Sequence, residues 1–497
     1  MRKETVAQSF DVVVVGAGPG GYVAAIRSAQ LGKKTAIVER EYMGGVCLNV
    51  GCIPSKALIS AGHFLHKLSH QAPDMGITAK GVSVDMKQTQ KWKQSVCDRM
   101  AGGVEQLLKG NGVTILRGEA TFKTATELSV KASSGTESVT AKNFILATGS
   151  RPIEIPGFKF DENLVCSSTG ALALNDVPKS VVVIGGGYIG LEIGGMLSNF
   201  GTKVTVVEAN KGLLVGLADP ECVQVVQRRY KKAGVEFMME AKAKGWAKSG
   251  SGVEVTVEVG GKEQKIKADK VIVTVGRKPN SDQAGLKQIG LQIDERGFVK
   301  TNSQRRTNLS NIFAIGDIAC QPMLAHKASH EGVLVAEVIA GHNRVYDAKT
   351  VPSVIFVDPE IAAAGMTEDE AKAAGYTDLK IAKFPFAANG RAVSLMETDG
   401  FIKMIADAKT NIVLGVHIVG VEASNLISEA ALAIEMGARL EDIALTIHPH
   451  PTLGETMMEA AEATLGHAIH IIQKPLAAKS GSATPARAGP PLPEAAP

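Results

Sequence analysis

The sequence predicts an α/β fold with two Rossmann-like dinucleotide-binding domains followed by a C-terminal α+β domain, on three observations. Two glycine-rich turns each sit between a buried strand and a small-residue helix, about 170 residues apart. After Val351 the pattern changes to strands that precede separate helical stretches. Two cysteines, Cys47 and Cys52, stand five positions apart just past the first turn.

The elements follow in order. Phe10 to Val15 is a continuous apolar run, as expected of a strand buried on both faces. It leads through Gly16, Gly18 and Gly21 into a helix over Tyr22 to Leu31, and then a strand from Thr35 ending at Glu39. Val113 to Val139 reads as short strands with turns, and Asn143 to Thr148 as a buried strand ending in Gly149-Ser150-Arg151-Pro152. The first pattern then returns. Ser180 to Ile184 is a strand, Gly185, Gly187 and Gly190 punctuate a turn, Leu191 to Phe200 is a helix, and Lys203 to Val207 is a strand before Glu208. Lys270 to Val275 ends in Gly276-Arg277-Lys278-Pro279, and Asn311 to Ile315 ends in Gly316-Asp317. Beyond Val351, strands at Phe401 to Ala406 and Val413 to Val419 precede helices near Ser424 to Met436 and Glu455 to Leu465. The stretch after Lys474 is rich in Ala, Pro, Ser and Gly, a composition that cannot bury enough surface to offset ordering, so 475–497 is expected to be a disordered tail.

At 497 residues the chain has room for about three domains. A formal charge of +4 with dispersed Lys and Arg, and aromatics at only 4%, argue against nucleic acid. Apolar runs such as Val12 to Val15 and Ile412 to Val421 fall short of the roughly 18 residues that span a bilayer. The first ten residues lack the apolar core of a secretory signal, so a cytoplasmic protein without a membrane segment is expected.

The other four cysteines, Cys97, Cys166, Cys222 and Cys320, are scattered singly, which makes the close pair stand out. A structural staple closing so short a loop would contribute only about 2 kcal/mol. Stability is thus a weak reason for the pair. Redox exchange with a nearby two-electron carrier is the alternative that its position suggests.

A lone glycine-rich loop is a weak signal. Here both copies follow a buried strand, open a helix and have an acidic residue 18 positions after the last glycine. Gly16 and Gly185 allow the tight turn, Gly18 and Gly187 allow a pyrophosphate to approach, and Gly21 and Gly190 let helix pack on strand. Glu39 and Glu208 would accept ribose hydroxyls. A carboxylate at Glu208, with no arginine in the four residues after it, favours NAD over NADP at the second turn. Which turn takes a flavin is not decided by the turns themselves.

Four features together resemble the flavin-dependent pyridine nucleotide–disulfide oxidoreductases, and within them the branch acting on lipoamide. They are the segment Gly44 to Lys56 with both cysteines and Ile53-Pro54-Ser55-Lys56, the ordered pair of turns, Ile315-Gly316-Asp317-Ile318 followed by Met323-Leu324-Ala325-His326, and His448-Pro449-His450-Pro451-Thr452-Leu453-Gly454-Glu455. The resemblance covers residues from about 10 to 473. It implies FAD on Gly16, Gly18, Gly21, Glu39, Lys56, Gly118, Asp317, Met323 and Ala325, and NAD on Gly185, Gly187, Gly190, Glu192, Glu208 and Gly276. The implied domains are 1–151 with 281–350 for FAD, 152–280 for NAD, and 351–474 as the interface of a homodimer. Lys56 and Glu192 would form an ion pair near the flavin, Cys52 would face it, and Cys47 would exchange with the substrate dithiol. His450 and Glu455 would be the acid–base pair, supplied across the dimer interface. The implied reaction is oxidation of dihydrolipoamide with reduction of NAD+, on lipoyl domains of 2-oxo acid dehydrogenase complexes or the glycine cleavage system.

For several of these residues a plainer reading competes. Thr452 to Glu455 matches a capping box, so Glu455 could simply cap a helix. Lys56 and Glu192 could be a surface pair. Val46 and Gly454 depart from the family, which commonly has Thr and Ser there, and Gly454 is expected to loosen the loop between His450 and Glu455. A related NAD(P)H-dependent disulfide reductase is the alternative enzyme, and an assembly role with catalysis lost is the alternative class.

Overall fold

The structure, a computed structural model, describes residues 8–473; the tail expected at 475–497 lies outside them. Within these residues the strand Gln8–Val15 is the centre of the first unit. Val12, Val13 and Val14 are fully buried, which is why the run is apolar throughout instead of alternating. It pairs in parallel with Thr35–Glu39, in the register Val12 to Thr35, and with Gly135–Leu146 on its other side. Thr114–Arg117 extends the sheet beyond Thr35–Glu39. The strand Gly135–Leu146 is shared: residues 135–140 pair antiparallel with Glu127–Ala132, while its end pairs in parallel with the distant Ile312–Ala314.

The second unit is a parallel sheet in the order Glu236–Met238, Lys203–Val207, Ser180–Ile184, Lys270–Val273, Val165–Cys166. A three-stranded antiparallel sheet, Ala241–Ser249, Gly252–Val259 and Lys262–Ala268, packs on it through Val253, Val255 and Val257. Where the chain passes between the first and second units, Ser150–Pro152 pairs antiparallel with Arg277–Pro279. Past Val351, strands Ser353–Ile355, Glu360–Gly365, Val413–Gly420, Phe401–Asp407 and Leu379–Pro385 form an antiparallel sheet in that order, covered by helices Ala423–Met436 and Glu455–Leu465. The fold is α/β with an α+β third unit.

Several element ends differ from expectation, for identifiable reasons. The two fingerprint helices begin three residues early, at Pro19–Gln30 and Tyr188–Asn199, with Gly18 and Gly187 as their N-caps. The glycine turns therefore present the free N–H groups of a first helical turn. The helix Met86–Gly110 was not expected at all. Among its 25 residues Met86, Lys93, Cys97, Val104 and Leu108 are buried; they recur at seven and four positions along one face, with the polar Lys93 inside that face. By length and composition Gly45–Met75 is apolar enough to cross a membrane, contrary to the reading from short runs. It is interrupted at Val50 and Gly51, and Gly62 within it packs against Asn199 and Met196 of the second unit.

Close backbone contact also sets the first site. A Cβ at Gly20 would lie 3.0 Å from the Ala328 carbonyl, and one at Gly332 would lie 2.6 Å from the Gly20 carbonyl. Helix Ala325–Ile339 thus runs against Pro19–Gln30 near their first turns, with Arg27 paired to Glu337 at 2.8 Å.

Candidate active site

Cys47 lies in a five-residue helix, Gly45–Asn49, and Cys52 opens the next, Cys52–His66. The segment starts on Gly44 (φ +85°) and Gly45 (φ +60°), left-handed positions that favour glycine. A Cβ on Gly45 would come within 2.6 Å of Gly18 Cα, so the thiol segment rests directly on the first fingerprint. Asn49 Nδ2 donates to the Met43 and Gly45 carbonyls at 2.9 and 2.8 Å and pins the turn.

The two thiols are not equivalent. The Cys47 S–H donates to Cys52 and, against the opposing effect of burial and with help from Lys56, brings the Cys52 thiol down to about 7. Cys47, as that donor and partly buried, is pushed up. Lys56 Nζ is 2.7 Å from Glu192 Oε2, and Glu192 Oε1 accepts the Phe356 N–H at 2.9 Å. The Lys56 ammonium also lies 4.3 Å from the centre of the Phe356 ring. With Glu192 only 7% exposed, this is no surface pair; it ties the thiol helix, the second fingerprint helix and the start of the third unit together. Tyr188 shares this region, its phenol pushed up to about 12 by burial.

The two cradles match in detail. A Cβ on Gly16 would meet the Ala147 carbonyl at 2.4 Å, and one on Gly185 would meet the Thr274 carbonyl at 2.7 Å. A Cβ on Gly21 or Gly190 would strike the carbonyl of Gly16 or Gly185 at 1.9 or 2.1 Å. By contrast, Gly18 and Gly187 face open space. Glu39 Oε2 accepts the Ala17 N–H at 2.7 Å, and Glu208 Oε2 accepts the Gly186 N–H at 2.6 Å. Glu39 Oε1 also accepts the Glu41 and Tyr42 N–H groups, and Glu208 Oε1 accepts Asn210 N and Nδ2, so each carboxylate stiffens its own loop and keeps one lone pair, on Oε2, for a ribose hydroxyl. A cleft lined by Gly16, Glu39, Gly118 and Thr148 opens beside the first turn. Gly118 (φ +157°) has no room for a Cβ, which would lie 2.6 Å from the Lys131 carbonyl. These are the features that a dinucleotide pyrophosphate and its ribose require, so the residues fit both cofactors.

Asp317 sits in a short helical turn, Gly316–Ile318, and accepts the Ser150 hydroxyl at 2.5 Å. Arg277 in turn donates to Ser150 Oγ and O at 2.8 and 2.7 Å. Met323 and Ala325 flank Leu324, the N-cap of helix Ala325–Ile339. Gly276 (φ +130°) precedes Arg277 at the end of the second unit. Sequence reasoning missed Ser150, Arg277 and Phe356. The similar endings Ser150-Arg151-Pro152 and Arg277-Lys278-Pro279 were the signal for the first two; Phe356 contributes a backbone N–H and a ring face, which leave none.

His450 and Glu455 form a separate pair. His450 Nδ1 is 2.8 Å from Glu455 Oε1, and Glu455 Oε2 accepts the Thr452 N–H at 2.7 Å. Burial raises the Glu455 carboxyl, but the Thr452 N–H and His450 outweigh it and leave it lowered. The capping-box reading holds by half, because Thr452 Oγ1 donates to the Pro449 carbonyl and Gly454 is the N-cap. Gly454 does not loosen the loop: it has ordinary helical angles (φ −60°, ψ −30°) and the His–Glu contact is short. The His450 side chain is 77% exposed, and its hydrogen bond stays within its own loop. The structure brings the thiols, Lys56 and Glu192 together; the imidazole pair stands apart from them in the third unit.

Comparison with known proteins follows the same division. A family described as pyridine nucleotide-disulphide oxidoreductase matches residues 10–332, and its dimerisation domain matches 351–461. The chain is 53% identical over 463 residues to the dihydrolipoyl dehydrogenase of Bacillus subtilis, covering 93% of this chain and 98% of that one. It is 46% identical over 474 residues to that of Haloferax volcanii, covering 94% and 99%. Among solved structures, LpdA from Mycobacterium tuberculosis superposes with a TM-score of 0.84 at 24% identity, over 92% of this chain and 99% of that one.

Proposed function

The chain belongs to the pyridine nucleotide-disulphide oxidoreductase family, and from that premise we propose how its own residues oxidise dihydrolipoamide to lipoamide. It is a flavoprotein enzyme that uses FAD and NAD, and it acts as a homodimer. Units 1–151 and 281–350 hold FAD on Gly16, Gly18, Gly21, Glu39, Gly118, Asp317, Met323 and Ala325, with Lys56 beside it. Unit 152–280 holds NAD on Gly185, Gly187, Gly190, Glu192, Glu208 and Gly276, and 351–474 forms the dimer interface. When bound, these cofactors carry the electron pair from the reduced thiols to NAD+.

The observation that carries the reading is the unequal thiol pair beside the first cradle. Exchange needs a thiolate nucleophile and a good leaving thiolate. His450 Nε2, left free by the Glu455 contact at Nδ1, takes the proton of one substrate thiol. That substrate sulfur attacks Cys47 Sγ of the Cys47–Cys52 disulfide; the S–S bond breaks and its electron pair leaves on Cys52. Cys52 suits that charge, standing at a helix N-terminus with Lys56 one turn on. The second substrate thiol attacks the first substrate sulfur, releases Cys47, and closes the oxidised lipoyl ring. His450 hands its proton to the departing Cys47 sulfur and takes up the proton of the second substrate thiol, and Glu455 holds the ring orientation throughout. We place the imidazole of one protomer over the thiols of the other, since His450 is exposed and Leu445 and Ile447 beside it are bare apolar side chains. Lipoyl domains of 2-oxo acid dehydrogenase complexes or of the glycine cleavage system, in the cytoplasm, are the proposed dithiol carriers.

An anaerobic titration with dihydrolipoamide, followed by NAD+, tests the reading. The expected outcome is flavin reduction at the first addition and NADH at the second. A flavin that dihydrolipoamide leaves oxidised, but that a reduced nicotinamide bleaches, would turn the assignment toward another disulfide substrate.

A further inference from the structure

Two residues before His450, a second histidine is held in the opposite way. His448 is 7% exposed where His450 is 77% exposed. Its Nδ1 lies 2.8 Å from the Thr446 carbonyl and its Nε2 lies 3.0 Å from Glu429 Oε1. Both ring nitrogens thus face oxygen atoms of this protomer, a carbonyl on one side and a carboxylate on the other. Buried, with both nitrogens engaged, His448 presents neither of them to a substrate thiol. It bonds its own loop with one nitrogen and, with the other, helix Ala423–Met436, which carries Glu429. On the far side of His450 the loop is fastened again, where buried Asn389 donates to the Thr452 carbonyl and Thr456 Oγ1, both at 3.0 Å. A Cβ on Gly454 would sit 3.7 Å from His448 Cδ2, so the ring lies under the turn from which Glu455 reaches His450.

We propose that His448, clamped between Thr446 and Glu429, is a positioning residue that holds the His450 loop at the orientation dithiol oxidation needs. This rests on His450 being the acid–base group. The ring and its two partners fix the loop at one end and Asn389 fixes it at the other, so the exposed imidazole between them has a rigid base. A loop released at one end misplaces His450 by an ångström or so, and such an error lowers turnover by about 100-fold.

The experiment is a cycle on the intact holoenzyme, measuring dihydrolipoamide oxidation and NADH-dependent reduction of an artificial acceptor. His448→Ala should lower dithiol turnover roughly 10- to 100-fold and artificial-acceptor reduction far less. Added to His450→Gln, it should cost nothing further, because the group it positions is already gone. His448→Gln, whose amide can still donate to Glu429, should recover part of the loss. Glu429→Ala reaches the same contact from a partly exposed site and repeats the result if His448→Ala does not yield a folded dimer. The proposal is overturned if His448→Ala leaves dithiol turnover within about twofold, lowers both reactions equally, or multiplies fully with His450→Gln. If His450→Gln alone leaves dithiol turnover intact, the acid–base reading itself falls, which the single variant reveals separately.

Discussion

The thiol end and the imidazole end of the proposed reaction are built on different terms. Cys47 and Cys52 are set by backbone contacts inside one chain: Gly45 on Gly18, Asn49 on its own turn, Lys56 on Glu192. The His450 loop is anchored as firmly, but the imidazole bonds only Glu455 of its own loop and is otherwise 77% exposed. On the proposed mechanism, the redox pair that must sit on a cofactor is fixed in cis, whereas the proton acceptor is left bare for a second copy to complete.

Mixed dimers give the largest effect that could break this contrast. A dimer of one Cys47→Ser and one His450→Gln protomer should regain one complete site and about half the dithiol turnover of the parent. If the imidazole works in cis, the same dimer has no complete site and stays as inactive as either variant. Next in size, His450→Gln alone should lower dithiol turnover by about 10²- to 10⁴-fold, the range of general acid–base catalysis, with artificial-acceptor reduction much less affected. Steady-state assays of both reactions separate these outcomes; equal losses would make His450 structural.

Smaller effects sharpen the thiol side. Cys52 is lowered to about 7, so in the reduced protein its thiolate persists above that pH and is lost as the pH falls through it. Thiolate ultraviolet absorbance of the reduced protein should follow this midpoint. Cys47→Ala removes the largest lowering influence and should move it upward; Lys56→Met should move it upward by less. Smallest of all is Gly454→Ser. The backbone angles are ordinary, and a new Cβ would find Thr452 and His448 at 3.6 and 3.7 Å. Thermal unfolding should shift by no more than about 0.5 kcal/mol, as for substitutions that disturb no special feature.

What could be read from the sequence was what depends on residues close together in it. The fingerprints were legible because Gly21 and Gly190 answer clashes within one turn, Gly16 and Gly185 hold its positive φ, and the acidic residues close the same loop. The α/β architecture followed from buried strands that carry no alternation. The ion pair of Lys56 and Glu192 could be named only through family resemblance, since 136 positions separate its members. The support of Asp317 by Ser150 and Arg277 spans comparable distances, and the Glu429–His448 contact joins two elements that no periodicity relates. Helix Met86–Gly110 was missed although its buried residues recur at seven and four positions on one face, because Lys93 interrupts the apolar pattern there.

The strand Gly135–Leu146 has a consequence for how the protein is made. Its last three residues pair with Ile312–Ala314, so the first sheet cannot be finished until the whole intervening unit has left the ribosome. At roughly 5–20 residues per second, that delay is on the order of ten seconds or more. Throughout it the edge beside Phe144 and Leu146, both fully buried in the finished protein, has no partner strand. The second unit, continuous in sequence, folds under no such delay and can be complete before the first one closes.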